Sequence, residues 1–416
     1  KGMEGLGKLC NMVESPKEVG QTLGEMKTLE INDWLCKSLV NGAIPPEVIY
    51  GYFRVLNFKQ DKSFIQLIEK IENVDKRILL IANVGYNGQI AKYISSFAVE
   101  FQNKYWSNVN VWSCENTEVE MVVKKLNSVG RFRNSFELIY GNGTKMLVSD
   151  ELMLDSVIQL LHGSKDGMPE PFEFVKILTY LDKSDSPIVK ENIMMVELLF
   201  YNYIRHDVNL RHFQLFYGIL HNPSTMLELI KLAWLPDNEQ AKEIRKNEFA
   251  KNKNLSSIAK IALEILHGLE AQPCENNNGV VNGQDLKKYA KELLEAAKSE
   301  YLERPAMYVI GKLLGNINLG EDYPPPYLGE ILEELDKDEI DDEYRRQLFN
   351  RHGFTCRAYN EGGTIERKRE KKFLSYAEKT RFTYDRITIV FEKLASEYHH
   401  MGDREDVNAK LEDLDN

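Results

Sequence analysis

Apolar residues recur along most of this chain at intervals of three and four. In KSFIQLIEKI, Phe64, Leu67, Ile68 and Ile71 fall on one face of a 3.6-residue helix. Leu286, Tyr289, Ala290, Leu293, Leu294 and Ala297 do the same in LKKYAKELLEAA, as do Ile387, Val390, Phe391, Leu394 and Tyr398 in RITIVFEKLASEY. Each such segment is a rod with one apolar side that needs a neighbour. Boundary signals agree. Ser15-Pro16-Lys17-Glu18 offers a capping hydroxyl, a proline at the first helical position and a glutamate three residues after the cap, and Thr117 to Glu120 reads as a second capping box. Ser186-Pro187 and Asn222-Pro223 open helices in the same way, while Gly42, Gly130 and Gly268 follow periodic runs, where a left-handed cap is wanted.

The rods share a plan. SPKEVGQTLGEM, PPEVIYGYFRVL, TEVEMVVKKL, LDSVIQLLHG and EFVKILTYL each start polar, reach a Val and end on a paired apolar step. The gaps from Val19 to Val48 and from Val119 to Val157 are 29 and 38 residues. A period in the thirties predicts an all-α protein, an α-solenoid of helical hairpins, in which each pair covers its apolar face only by stacking on the next. This reading places a tetratricopeptide- or HEAT-like repeat region over about 1–236. The polar, lysine-rich stretch LPDNEQAKEIRKNEFAKNKN marks a boundary near 237–250, and a C-terminal helical module follows over 250–416. No W-x-x-L-G-x-x-Y block appears, so the repeat type stays open.

Residues 77–114 fit the plan least well. RILLIANVGYNGQIAKYI reads either as a buried strand, a glycine turn and a helix, or as a further helical hairpin turning at Gly85-Tyr86-Asn87-Gly88, and NVNVWSC alternates like a strand. An α/β insert here would aim helix amides at a phosphate and make the segment a nucleotide sensor. Gly85 and Gly88 supply only part of a dinucleotide fingerprint.

Composition narrows the functions. Hydrophobic residues at 43% and charged residues at 28% suit a folded soluble chain, and a net charge of -11 repels nucleic acid and anionic membrane unless a local patch reverses the field. No stretch approaches a membrane span in length, so no membrane association is expected. Five well-separated cysteines without a C-x-x-C pair suit reduced thiols in a cytoplasm. The start KGMEGLGKLC has neither an initiator Met nor a signal pattern, as expected of a piece cut from a longer chain, from which any catalytic head would be missing. Charge is also segregated. Eleven acids against Lys337 over 321–343 leave -10, and eight bases against four acids over 364–386 leave +4, so the two blocks can lie against each other.

Candidate chemistry is sparse. Arg205 and His212 in RHDVNLRH match the loose pattern of helical ribonucleases, in which His moves a proton at a ribose hydroxyl and Arg steadies the phosphate. Asp207 and Asn209 favour a break between two helices there, and Arg346 with His352 repeats the pattern by chance spacing, so an exposed loop is the favoured reading. His206, His212 and His221 lack the spacing of metal ligands; no metal and no cofactor is expected. The run Arg367, Lys368, Arg369, Lys371 and Lys372, with Phe373, Tyr376, Phe382 and Tyr384 nearby, could grip phosphates and stack on bases. The favoured reading is a solvated helix face with i,i+3 ion pairs between Glu366 and Arg369 and between Arg367 and Glu370. PPPY at 324–327 stiffens the start of a helix or docks on an aromatic groove.

From about residue 210 onward the chain resembles the C-terminal region of a family of very large bacterial proteins. The resemblance runs through HNPSTMLELIKLAWLPDNEQ, ALEILHGLEAQPCENNNGVVNGQDLKKYAKELLEAA, VIGKLLGN and GFTCRAYNEGGTIERKREKKFLSYAEKTRFTYDRITIVFEKLASEYHHMGDRED. It implies a helical module behind tetratricopeptide-like repeats, in proteins whose architecture looks like that of antiviral or signalling scaffolds. It brings no catalytic residues. The expectation is a non-catalytic scaffold that binds a protein partner or positions a neighbouring effector domain, with the RNA-cleaving and nucleotide-sensing readings as alternatives.

Overall fold

Three-and-four periodicity becomes helix throughout the computed structural model, which describes residues 2–26, 28–59, 64–141, 147–161, 163, 167–206, 213–276, 279–351 and 361–414. Two compact units divide the chain, Lys1–Val196 and Glu197–Asn416. The first carries α1 (Gly2–Met12), α2 (Pro16–Met26), α3 (Leu29–Asn41), α4 (Pro46–Phe58), α5 (Phe64–Glu69), α6 (Val74–Val84), α7 (Gly88–Ile94), α8 (Val99–Trp106), α9 (Val119–Ser128), α10 (Phe132–Gly141), α11 (Asp150–Leu161), α12 (Pro171–Leu181) and most of α13 (Pro187–Leu199), whose residues from Glu197 on belong to the second. The second continues with α14 (Tyr201–Ile204), α15 (Gln214–His221), α16 (Pro223–Ala233), α17 (Glu239–Lys251), α18 (Lys253–Gly268), α19 (Gly283–Ser299), α20 (Glu303–Gly315), α21 (Pro326–Leu335), α22 (Asp338–Asn350), α23 (Thr364–Thr380) and α24 (Asp385–Leu414). Among the described residues there is no strand, only an isolated bridge between Glu275 and Val281, and no helix is long and apolar enough to cross a membrane. The compositional shift at 237–250 falls at α17, inside the second unit.

In the first unit helices pack on those one or two positions along the chain: α2 on α4, α4 on α6, α6 on α8, α9 on α10 and α10 on α11. Phe64, Leu67, Ile68 and Ile71 are buried together, as the spacing requires. The second unit closes around aromatics. Phe373 and Tyr398 stack with ring centroids 5.8 Å apart and planes within 2°, and Phe349 lies against Tyr398 at 5.4 Å. Of the apolar face of α19, Leu286, Tyr289, Ala290, Leu293 and Ala297 are buried and Leu294 is partly exposed.

Residues 77–114 form no α/β insert, which corrects one of the two readings. Residues 77–84 belong to α6, whose N-terminus is capped by Asn73 Oδ1 accepting from the Lys76 amide at 3.0 Å. The ambiguity has a physical source, since Ile78, Leu80, Ile81, Ala82 and Val84 are all buried and a short run apolar on several sides carries no period. In NVNVWSC, Val109 and Val111 point inward while Asn110 is exposed, which gives strand-like alternation without a partner strand. Two other boundaries move. α9 starts at Val119 with Glu118 as its cap, and no side-chain capping bond is made there, so Thr117 to Glu120 is not a capping box. Gly268 is the last residue of α18 rather than a left-handed cap, whereas Gly42 takes φ 64° and Gly130 φ 77°.

The acidic and basic blocks meet. Arg386 at the start of α24 pairs with Asp336, with Asp338 at 2.7 Å and with Asp341 at 2.7 Å, and its backbone N–H donates to Glu333 at 2.7 Å. Burial lifts the Asp341 carboxyl to about 6, overcoming the opposing pull of Arg386, with Asp338 and Asp342 adding to the rise. The folded chain therefore holds a proton that the unfolded chain, with an Asp near ~3.9, releases. This contribution is full below about pH 4 and is lost as pH rises through about 6. In urea titrations, the stability of Asp341→Asn relative to the natural chain should grow by about 1–2 kcal/mol from pH 4 to 7. A pH-independent difference would place the carboxyl in contact with water.

Candidate functional site

A cleft of about 920 Å³ opens in the first unit where α2, α4 and α6 meet the loop that follows α8. Its floor is the turn Gly85-Tyr86-Asn87-Gly88. The Tyr86 N–H donates to Asn110 O at 2.7 Å and the Ser113 hydroxyl donates to Tyr86 O at 2.8 Å, so the turn and the 110–113 loop hold each other. Gly85, with φ 111°, occupies backbone space that favours glycine.

Six carboxamides line the cleft: Gln21, Asn57, Asn83, Asn87, Gln89 and Asn110. Three have one end committed to their own backbone. Asn83 donates to Leu79 O at 2.8 Å, Asn87 accepts from the Gln89 N–H at 2.7 Å and Asn110 accepts from the Trp112 N–H at 3.1 Å. What remains is an acceptor on Asn83 and donors on Asn87 and Asn110, the complement of a visiting chain's N–H and C=O groups. Trp112, 59% exposed, stands at the edge.

Charge in the cleft is uneven. Glu115 and Glu118 line it against Arg54, and Glu25, also in the lining, is paired with Lys59, which disfavours a polyphosphate. α7 has seven residues, and its first turn is already capped by Asn87. Glu118 sits beside Gly88 so closely that a Cβ there would lie 2.2 Å from Oε1. Neither Glu118 nor Arg54 forms an ion pair with another described residue. Behind Glu118, burial pushes the Cys114 thiol up to about 12, with Glu118 and Glu115 adding to the rise, so this thiol stays protonated at neutral pH.

A second cleft, of about 880 Å³, lies in the second unit between α15, α19 and the 272–282 loop. Tyr217 and His221 stack at its edge with centroids 4.5 Å apart. Burial lowers the His221 pKa against the pull of Glu275, and burial together with Asp285 raises the Cys274 thiol to about 11. A protonated, buried thiol is a poor nucleophile. Cys10, Cys36, Cys114 and Cys274 are all free thiols. Among the described residues no group of three His, Cys, Asp or Glu side chains could hold a metal.

Arg205 is exposed just past α14, and its Nε donates to His206 Nε2 at 3.3 Å. His212, Asp207, Asn209 and His352 lie outside the described residues. In the basic run, Arg367 is held by Asp403, by Asp406 at 3.2 Å and by Glu370 at 3.4 Å, while Arg369 lies over the Tyr398 ring at 5.6 Å and Lys372 over Tyr376 at 5.5 Å. Lys368 and Lys371 point to solvent, while of the four nearby aromatics Phe373 and Tyr376 are core residues, Tyr384 is half-buried and Phe382 is exposed. Pro326 opens α21, preceded by Pro325 in the capping position, so PPPY stiffens a helix start.

No family model matches this chain, and no curated protein or solved structure matches it either.

Proposed function

We propose that this chain is a non-catalytic recognition scaffold of tetratricopeptide- or HEAT-like helical repeats, which seats an extended segment of a protein partner in the cleft of its first unit. The observation that carries the reading is the set of carboxamides lining the cleft, with donors on Asn87 and Asn110 and an acceptor on Asn83 turned away from their local backbone bonds. An extended chain carries one donor and one acceptor on nearly every residue, and side-chain amides satisfy both without demanding a particular sequence. The cleft is too polar for an apolar helix face and too acidic for nucleotide phosphates. The resemblance of the C-terminal half supplies the setting, bacterial antiviral defence in the cytoplasm, to which the unpaired thiols are suited.

A displayed library of random peptides, panned against the intact chain, tests this. Micromolar binders are expected, as a short groove of this size supports. Asn57→Ala combined with Asn83→Ala should weaken them about thirtyfold, near 1 kcal/mol for each of the two lost hydrogen bonds, without altering the thermal melt. A library that enriches nothing, or binders indifferent to the double substitution, would overturn the assignment.

A further inference from the structure

We infer that Arg54, with Gln21 and Asn57 beside it, anchors one carboxylate of the seated segment, an Asp or Glu side chain or a free C-terminus; the inference rests on reading the cleft as a peptide groove and names what that groove selects. Three observations converge. All three residues line the cleft on its α2 and α4 wall, and none of their side chains makes a hydrogen bond or ion pair with another described residue. The close crossing of the two helices brings them together. A Cβ built on Gly51 would lie 3.1 Å from the Gln21 backbone N, one built on Gly24 would lie 2.8 Å from Val55 Cβ, and Arg54 and Asn57 follow Gly51 at intervals of three along α4. Glu25, the α2 acid in this wall, is paired with Lys59, so Arg54 keeps its charge for a visitor.

A guanidinium presents five N–H donors in a planar fork, and each of the two carboxamides adds two donors against one acceptor oxygen. Such a surplus of donors matches an acceptor-rich group. A carboxylate offers two oxygens with about four acceptor sites, and its width fits the guanidinium fork in a bidentate pair. A backbone carbonyl would use one donor and leave the charge unmatched. A phosphate would bring up to about twice the negative charge of a carboxylate into a cleft that Glu115 and Glu118 also line. Glu118 itself lies against Gly88 and beside the Tyr86 hydroxyl, away from the α2 and α4 wall.

The test titrates the intact chain with a synthetic peptide recovered from the library, its counterpart with each Asp changed to Asn and each Glu to Gln, and its C-terminal amide. Converting the anchored carboxylate to an amide should weaken binding to the natural chain at least about tenfold. Whichever conversion causes the loss identifies the side chain or the C-terminus as its source. Arg54→Gln should bind the acid and amide peptides alike, and Arg54→Lys should retain an intermediate preference, since the charge stays and the fork is lost. Arg54 is exposed, and an unchanged thermal melt accompanies the comparison. Recovered peptides whose amide counterparts bind equally well, or an acid preference that survives in Arg54→Gln, would overturn the anchor while leaving the peptide groove standing. Failure to recover any peptide would overturn both.

Discussion

Gly20→Val is expected to destabilise the first unit by about 3 kcal/mol, the upper part of the range for forcing added carbons into a packed contact. α2 and α4 approach backbone to backbone. A Cβ built on Gly20 would lie 2.0 Å from Val48 O, and one on Gly51 would lie 2.2 Å from Lys17 O. Neither neighbour is a side chain that can rotate away. The helices would have to separate, and the dispersion contacts of buried Leu23, Val48, Tyr52 and Leu56 would weaken with them. Gly7→Ala is the internal control. Its Cβ would meet nothing closer than Trp34 at 3.7 Å, so the same kind of change should stabilise α1 by about 0.5–1 kcal/mol through helix propensity. Opposite signs in urea unfolding would locate the cause in the close crossing. Equal signs would remove it.

Glu197→Ala should cost the second unit about 3 kcal/mol. This is the lone acid in the apolar run IMMVELLFYNYI, and it is fully buried. Its Oε2 accepts from the Leu215 N–H at 2.6 Å and its Oε1 from the Gln214 N–H at 3.3 Å, so it closes the first turn of α15 from another helix. Alanine strands two amides that have no intrahelical partner and removes a negative charge from the positive end of the helix dipole. Each orphaned amide costs about 1–3 kcal/mol. Glu197→Gln keeps an acceptor and the shape, and should recover roughly half of the loss. Denaturant midpoints for the three chains check the order, and a wild-type midpoint for Glu197→Ala would mean that water serves those amides equally well.

The helices were legible because each exposes one polar side, which the three-and-four spacing records. α6 was ambiguous because nearly all of its circumference is buried. The glycines were read from sequence as caps, the role Gly42 and Gly130 have. Gly20, Gly51, Gly311 and Gly315 instead make room for a crossing helix, and no local pattern says which helix will cross. Gly311, for example, would place a Cβ 2.7 Å from Ile340 O, 29 residues away. Glu197 is the same kind of case, since an acid in an apolar run is visible at once but its partners come from residues 214 and 215. The cleft was the least legible feature. Its amides come from positions 21, 57, 83, 87, 89 and 110 and match no motif, and the segment 77–114 drew notice for a glycine turn whose part is to shape the floor. The complementary charge of 321–343 and 364–386 was readable as composition, and Arg386 shows its use, gathering Asp336, Asp338 and Asp341.

Amide hydrogen exchange of the intact chain, with and without a saturating library-selected peptide, addresses the peptide groove most directly. Slowed exchange confined to residues 83–89 and 108–118, with the second unit unchanged, is the predicted result. Protection that falls on the second unit, or on no segment of the first, would contradict it.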